Sequence, residues 1–156
     1  MPLLNYTTKI DADKTIAEIQ RTLSKVGASK IMTDYENGTV SALSFALTVN
    51  GQTIGFRLPC DWKPVYGVLL QQFPIKERGW GQEREDNKAH KESELRMQSV
   101  RTSWRIVKDW VEAQCALIET QMVKTEQVFL PYMVVKGGQT LFEQMVETQF
   151  RLGEGK

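Results

Sequence analysis

Residues 39–59, TVSALSFALTVNGQTIGFRLP, carry the clearest local structural signal in this 156-residue chain. Apolar residues alternate with small or polar ones on both sides of the Asn-Gly at 50–51, which is the pattern of strands with one buried face. Asn-Gly favours the two-residue type I′ hairpin, because both central positions of that turn need a positive φ. A second Asn-Gly, at 37–38, follows the strand-like run at 29–36. The stretch therefore predicts an antiparallel meander of three strands.

The residues before the meander add two elements to the predicted fold. Residues 4–10, LNYTTKI, read as a first strand that joins the sheet at an edge. The helix that follows has a capping box at Thr15 and Glu18 or, one turn earlier, a cap at Asp13, and Gly27 ends it. The element order is strand-helix-strand-strand-strand. This order predicts an α+β fold with a four-stranded, mostly antiparallel sheet.

The second half of the chain is predicted to be helical and to include one long helix. Asp61 is placed to cap a helix that ends near residues 73–74, where a proline follows. Residues 76–94 are dense in charge, which is typical of a solvated loop or of the exposed start of a helix. Over residues 93–123 the apolar positions recur at helical spacing and form a broad face. A long helix is expected there.

The chain is expected to form one structural domain from two parts. An α+β sheet unit covers residues 1–75, and a helical half covers residues 76–156 and closes with a short helix capped by Thr140 and Glu143. The long helix is apolar around more than one face, which is more than a small sheet can cover. The helical half therefore packs on the sheet or mediates oligomerisation, and we predict a homo-oligomer.

Composition limits the partners and the compartment. The net charge of +1 gives the chain no overall field that would draw it to nucleic acid or to a membrane surface, so such binding needs a local patch. Two cysteines that lie far apart, Cys60 and Cys115, favour a reducing compartment, and we expect the cytoplasm. The start of the chain lacks the features of a secretory signal, and no apolar run is long enough to cross a membrane.

Motifs for enzyme chemistry are sparse, so a binding protein is favoured over an enzyme. The single histidine, His90, belongs to no cluster with metal-ligand spacing, and neither a metal nor a cofactor is expected. Cys60 is the only candidate nucleophile for a Cys-His pair. The acidic group Glu83, Glu85 and Asp86 could hold magnesium, or could favour the first turn of the long helix through the helix dipole.

One charge pattern points to a ligand. Residues 95–108 contain Arg96, Arg101, Arg105 and Lys108 and no acid. The last three share a helix face, where like charges repel, and a phosphate-bearing ligand would relieve that repulsion. We therefore predict phosphate binding by these four residues. The alternative is that they pair with acids from elsewhere in the fold or are simply solvated.

Three tryptophans are candidates for stacking or for an interface. Trp104 and Trp110 are separated by about 240° of net helix rotation, so they cannot both lie at the centre of one face. One of them belongs to the core, and the other lies at an edge where it could stack on a base or meet a partner. Trp80 is the only large apolar residue of the charged run and joins them as a candidate.

The runs SWRIVKDWVEAQCALIE and VFLPYM, together with YTTKIDADKTIAEIQRTL near the start, resemble small uncharacterised proteins of phage and prophage genomes. The resemblance covers most of the chain. It implies a viral or mobile-element origin, hence the host-cell cytoplasm. It implies no specific activity, and no functional residue is carried over from it.

Three functions are compatible with these patterns. The first is a non-enzymatic phage-type protein that binds single-stranded nucleic acid, or sequesters a nucleotide signal to blunt host signalling. The second is a protein–protein interaction module that inhibits a host factor through its long helix. The third is a small metal-dependent nuclease or phosphodiesterase. Basic residues that line a pocket would favour the first, an exposed apolar helix face the second, and clustered carboxylates the third.

Overall fold

A computed structural model describes residues 1–151 and has an α+β fold. Three strands form one antiparallel sheet in the order β1-β2-β3, and helices make up the rest of the regular structure that is described. A single turn of 3-10 helix, Leu130–Tyr132, follows α4. The elements in chain order are α1 (Ala12–Lys25), β1 (Lys30–Glu36), β2 (Thr39–Val49), β3 (Gln52–Pro59), α2 (Trp62–Gln72), α3 (Gly81–Glu119), α4 (Thr125–Phe129) and α5 (Leu141–Glu147).

The chain divides into two compact units, and neither is continuous in sequence. The first unit combines Met1–Ile19 with Cys60–Val111, and the second combines Gln20–Pro59 with the residues from Glu112 onward. Each unit thus draws residues from both sides of residue 75, where the sequence suggested the division between a sheet unit and a helical half. The sheet, α4 and α5 lie in the second unit.

The three-strand meander is confirmed, and both Asn-Gly turns have the predicted geometry. Asn37 and Gly38 have φ values of 52° and 78°, and Asn50 and Gly51 have 50° and 79°. These are the two consecutive left-handed positions of a type I′ turn. In the second unit the apolar face of the sheet contributes to a buried aromatic cluster formed by Phe45, Phe56 and Phe129.

The predicted first strand is wrong, and the sheet has three strands rather than four. Residues 4–7 form a turn in which Asn5 has a φ of 62°. The carbonyls of this segment accept hydrogen bonds from α3 side chains: Gln98 Nε2 donates to Tyr6 O at 3.0 Å and to Thr8 O at 2.8 Å. Because these polar backbone groups are satisfied by side chains, the segment needs no neighbouring strand.

Several predicted helix boundaries are confirmed by hydrogen bonds. The N–H of Lys63 donates to the Asp61 carboxylate at 3.0 Å, and α2 ends at Gln72. Thr140 and Glu143 form a reciprocal capping box at the start of α5. Gly27, with a φ of 100°, follows the end of α1.

The start of α1 differs from the prediction. This helix begins at Ala12, so Thr15, Glu18 and Asp13 all lie inside it, and none of them is the residue before its first turn. Thr15 is fully buried, and its N–H donates to the carbonyl of Asp11 at 3.2 Å. The T-x-x-E pattern here therefore marks a buried helical position rather than a cap.

The long helix is confirmed, and it starts earlier than the apolar pattern indicated. α3 runs over 39 residues, from Gly81 rather than from near Ser93, and by its rise it is about 58 Å long. Residues 81–94 are therefore the exposed start of the helix, one of the two alternatives for the charged run, and 76–80 remain a loop. Among the described residues, no helix has the length and apolar character needed to span a bilayer.

Candidate anion-binding groove

A groove of about 830 Å³ lies within the first unit, between the segment that follows α2 and one face of α3. The segment contributes residues 73–76 and Arg78. The helix contributes Asn87, His90 and further residues up to Arg101, spaced three or four apart so that they share a face. The volume falls in the range of sites that enclose small ligands, which is about 300–1,000 Å³.

Side-chain contacts at both ends hold the segment against the helix. At one end the ring of Phe73 stacks on Tyr6, with centroids 5.2 Å apart and an interplanar angle of 7°. At the other end Asn87 Nδ2 donates to the carbonyl of Arg78 at 3.3 Å. The segment thus runs antiparallel to α3, because Tyr6 is itself held by Gln98 near the Arg101 end of the groove.

Glu77 ties the same loop to the helix through two cations. Its carboxylate pairs with Arg84 and lies 3.4 Å from Lys88 Nζ. Hydrogen bonds from Arg84 and Lys88 hold the pKa of Glu77 below its ordinary value. Gly79, at a φ of 95°, follows Arg78, and a Cβ there would lie 3.3 Å from the Arg84 backbone nitrogen. Glycine is therefore the residue that this close approach favours.

The groove carries an excess of positive charge. Four permanently cationic side chains and one carboxylate line it. The carboxylate belongs to Glu94, which lies 3.1 Å from His90 Nε2 and 3.6 Å from Lys91 Nζ. Within residues 1–151, neither Lys76 nor Arg78 has a carboxylate within ion-pair distance. The described hydrogen-bond partner of Arg101 is the neutral Gln98. Lys76, Arg78 and Arg101 therefore have charge that no described carboxylate compensates and that an anionic ligand would balance.

Arg101 is the groove residue with an unsatisfied hydrogen-bond donor. Its Nη2 donates to Gln98 Oε1 at 2.6 Å, and its Nε is buried without a hydrogen-bond partner among the described residues. Gln98 is fixed in turn by its bonds to the carbonyls of Tyr6 and Thr8. A buried donor without an acceptor costs about 1–3 kcal/mol, and more when it is charged. The guanidinium of Arg101 thus retains donor capacity that no described residue uses, and an oxyanion in the groove that Arg101 lines would be an acceptor for that group.

Apolar surface accompanies the charge. Phe73 is 45% exposed although one face of its ring is covered by Tyr6, and Met97 on the helix is 56% exposed. Ile75 and Leu95 complete the apolar lining. A ligand with both a flat apolar part and an anionic part would contact both kinds of surface.

Of the four basic residues predicted to bind phosphate, only Arg101 lines the groove. Arg105 Nη1 lies 2.6 Å from a carboxylate oxygen of Glu18, and the two side chains are 14% and 23% exposed. Lys108 is 3.9 Å from Asp109, and its side chain is 15% exposed. Arg105 is thus paired with an acid from elsewhere in the fold, which was the alternative to phosphate binding.

Arg96 is exposed and lies on another side of α3. Five residues separate it from Arg101, which is about 140° of net rotation around the helix axis. The two side chains cannot line the same face of a straight helix. Phosphate binding by Arg96 stays a prediction and is separate from the groove.

The three candidate tryptophans have different environments. Trp104 is 1% exposed and belongs to the core. Trp110 is half-buried. Trp80 is 89% exposed and directly precedes α3, two residues after Arg78 of the groove. Of the three, Trp80 presents the most ring surface to a ligand.

The sequence did not predict that the segment after α2 lines the groove. Phe73, Lys76 and Arg78 were assigned to a helix end and to a solvated charged run. The signal that could have found part of the site is the helical spacing of Asn87, Lys91 and the residues that follow. It becomes visible once the helix is extended back to Gly81.

The candidate groups for catalysis or metal binding do not assemble in the described part of the chain. Among residues 1–151, no group of three or more histidine, cysteine, aspartate or glutamate side chains is arranged to hold a metal ion. Both cysteines are buried as free thiols. Burial raises the pKa of Cys60 to about 11, and likewise that of Cys115, so both are thiols rather than reactive thiolates near neutral pH.

Comparison with protein-family models, with curated proteins and with solved structures gave no match to this chain. The phage and prophage resemblance of the sequence therefore stays a prediction.

Proposed function

We propose that this protein is a non-enzymatic binding protein whose ligand carries phosphate, either single-stranded nucleic acid or a nucleotide, and that the ligand lies in the groove beside α3. One observation carries the proposal: Arg101, whose buried Nε has no hydrogen-bond partner in the described part of the chain, lines a groove that contains four cations and one carboxylate. Phosphate oxygens are strong acceptors, and guanidinium groups bind them through paired donors.

The mixed lining supports the same ligand class. Phosphates would contact Arg101, Lys76 and Arg78, whose charges are uncompensated, while a base would lie against Phe73 or Met97. A purely inorganic anion would use only the charged part of the lining. A nucleotide unit uses both parts, because it joins a planar apolar ring to an anionic group.

Binding by the wild type and by two arginine variants tests the proposal. The probes are fluorescein-labelled oligothymidylate and oligouridylate, with unlabelled ATP and GTP as competitors, at low salt. Arg101→Gln should weaken binding by about 10- to 100-fold, since hydrogen bonds to charged groups contribute about 1.5–3 kcal/mol. Arg96→Gln is the matched control, because it removes an exposed arginine of the same helix outside the groove.

The proposal fails if no probe binds, or if the two variants weaken binding equally. Mass spectrometry of the freshly purified protein adds a second readout. A co-purifying nucleotide or oligonucleotide is expected in wild-type protein and should be depleted in Arg101→Gln.

A second candidate function is protein–protein interaction, and one feature of the second unit favours it. Phe142, Val146 and Phe150 are 53%, 49% and 58% exposed, and the rings of Phe142 and Phe150 lie 6.2 Å apart. Clustered exposed apolar side chains mark contact surfaces. The sequence placed such a surface on the long helix, whereas this cluster lies on and after α5. Light scattering at tens of micromolar tests self-association through this cluster: a dimer that Phe142→Ser dissociates would support an interface between copies of this chain, and a monomer would contradict that interface.

A further inference from the structure

We propose that the ligand is a single strand of several nucleotides rather than one nucleotide, and that Trp80 stacks on a base at the Arg78 end of the groove. This inference rests on the proposed function and specifies its ligand. Three observations carry it: the length of the groove, the distribution of its cations, and the exposure of Trp80.

The groove is longer than one nucleotide requires. Its helix side extends from Asn87 to Arg101, which is about 21 Å along the axis at 1.5 Å per residue. A stacked strand rises by about 3.4 Å per nucleotide along its axis, so this length corresponds to about six stacked nucleotides, or fewer in an extended strand. A single nucleotide at Arg101 would leave the cations at the other end without a phosphate.

The uncompensated cations lie along the groove rather than at one point. Arg101 lies at the end where Phe73 stacks on Tyr6, and Arg78 lies at the opposite end, tied to Asn87. Lys76 lies on the segment between those ends. A row of positive charge matches a chain of phosphates, because each cation can neutralise a different phosphate of one strand.

Trp80 provides a stacking surface at the Arg78 end. Its side chain is 89% exposed, although burying a tryptophan is normally favourable. It lies between Gly79 and Gly81, both at positive φ, and Gly79 closely approaches the start of α3. The ring therefore lies at the surface, two residues from Arg78 in sequence. Exposed aromatic rings beside a cationic groove are the usual stacking platforms for single strands.

The test measures affinity against ligand length. Oligothymidylates and oligouridylates of one to about ten nucleotides are titrated into the full chain at constant salt. We expect affinity to rise steeply with length and to level off near six nucleotides. The two series report whether the groove distinguishes DNA from RNA, and a preference for either one fits the proposal.

Variants of Trp80 test the stacking role. Trp80→Leu should weaken hexanucleotide binding by about 5- to 100-fold, the range expected for loss of one stacked base, while mononucleotide binding stays unchanged. Trp80→Phe retains an aromatic face and should restore most of the affinity. Because Trp80 is exposed, both variants should keep the wild-type melting temperature, which is measured on the same samples.

The possible failures are distinguishable. If a mononucleotide binds as tightly as the hexanucleotide and Arg101→Gln still weakens it, this inference is wrong and the proposed function stands. If length matters but Trp80→Leu does not, the stacking part is wrong. If no phosphate-bearing probe binds the wild type, the proposed function itself is overturned.

Discussion

Replacing Arg105 should cost stability rather than ligand affinity. Arg105 Nη1 lies 2.6 Å from Glu18, the two side chains are 14% and 23% exposed, and the same Nη1 lies 3.5 Å from Thr15 Oγ1. Arg105→Gln removes a short, charge-assisted hydrogen bond from a largely buried site. Such a bond contributes about 1.5–3 kcal/mol, so we expect the free energy of unfolding to fall by about 2 kcal/mol. For a chain of this length, that is a fall of roughly 4–8 °C in melting temperature.

The assay is urea and thermal unfolding followed by circular dichroism, with Arg96→Gln as the control. Arg96 is exposed, and its replacement should change stability by no more than about 0.5 kcal/mol. Glu18→Gln should cost about as much as Arg105→Gln, and the double variant should be less destabilised than the sum of the two. Equal melting temperatures for Arg105→Gln and Arg96→Gln, or strictly additive effects at the two partners, would refute the structural assignment of Arg105. Ligand affinity per folded molecule should not change in Arg105→Gln.

Three further outcomes are expected from the structure. Gly51→Val should destabilise the fold by about 1 kcal/mol or more in urea unfolding, because residue 51 has a φ of 79°, whereas Gly55→Ala, at an ordinary φ in β3, should not show this strain. Burial raises the pKa of Cys60 from 9.0 to about 11, so the unfolded chain loses this proton at a lower pH than the folded chain, and the free energy of unfolding should fall between pH 9 and 11. The fall should be smaller in Cys60→Ala. Equal pH dependence of the unfolding free energy in wild type and Cys60→Ala would contradict the shift. Lys76→Gln should reduce the slope of log affinity against log salt by about 0.7 for a single strand, and an unchanged slope would place Lys76 outside the phosphate path.

Local signals predicted much of the fold because the interactions that decide those elements are local. The two Asn-Gly turns need only their own backbone angles, and Asp61 and Thr140 cap helices through N–H groups within three residues. The prediction of a first strand at residues 4–10 was wrong because the interactions that decide this segment are not local. The carbonyls of Tyr6 and Thr8 accept hydrogen bonds from Gln98, which lies 92 and 90 residues further along the chain. No local pattern encodes that contact.

The site was predictable only in part. Arg101 stood out because residues 95–108 carry basic side chains and no acid, and it does line the groove. The same argument selected Arg105, since sequence spacing does not reveal that Glu18 on α1 lies beside it. Lys76 and Arg78 lie on a loop whose position depends on the ion pair of Glu77 with Lys88 of α3 and on the hydrogen bond from Asn87 of α3 to the Arg78 carbonyl. Such tertiary placement is not visible in composition or periodicity.

The proposed function requires that a phosphate binds the guanidinium of Arg101, whose Nε has no hydrogen-bond partner among residues 1–151. The most direct measurement is the side-chain Nε–Hε resonance of Arg101 in ¹H–¹⁵N NMR spectra during titration with oligothymidylate, assigned by its loss in Arg101→Gln. We predict a large downfield proton shift that saturates with the binding curve, because the donor gains a charged acceptor. An Arg101 resonance that stays unchanged while the oligonucleotide binds, with shifts concentrated elsewhere on the chain, would contradict the account.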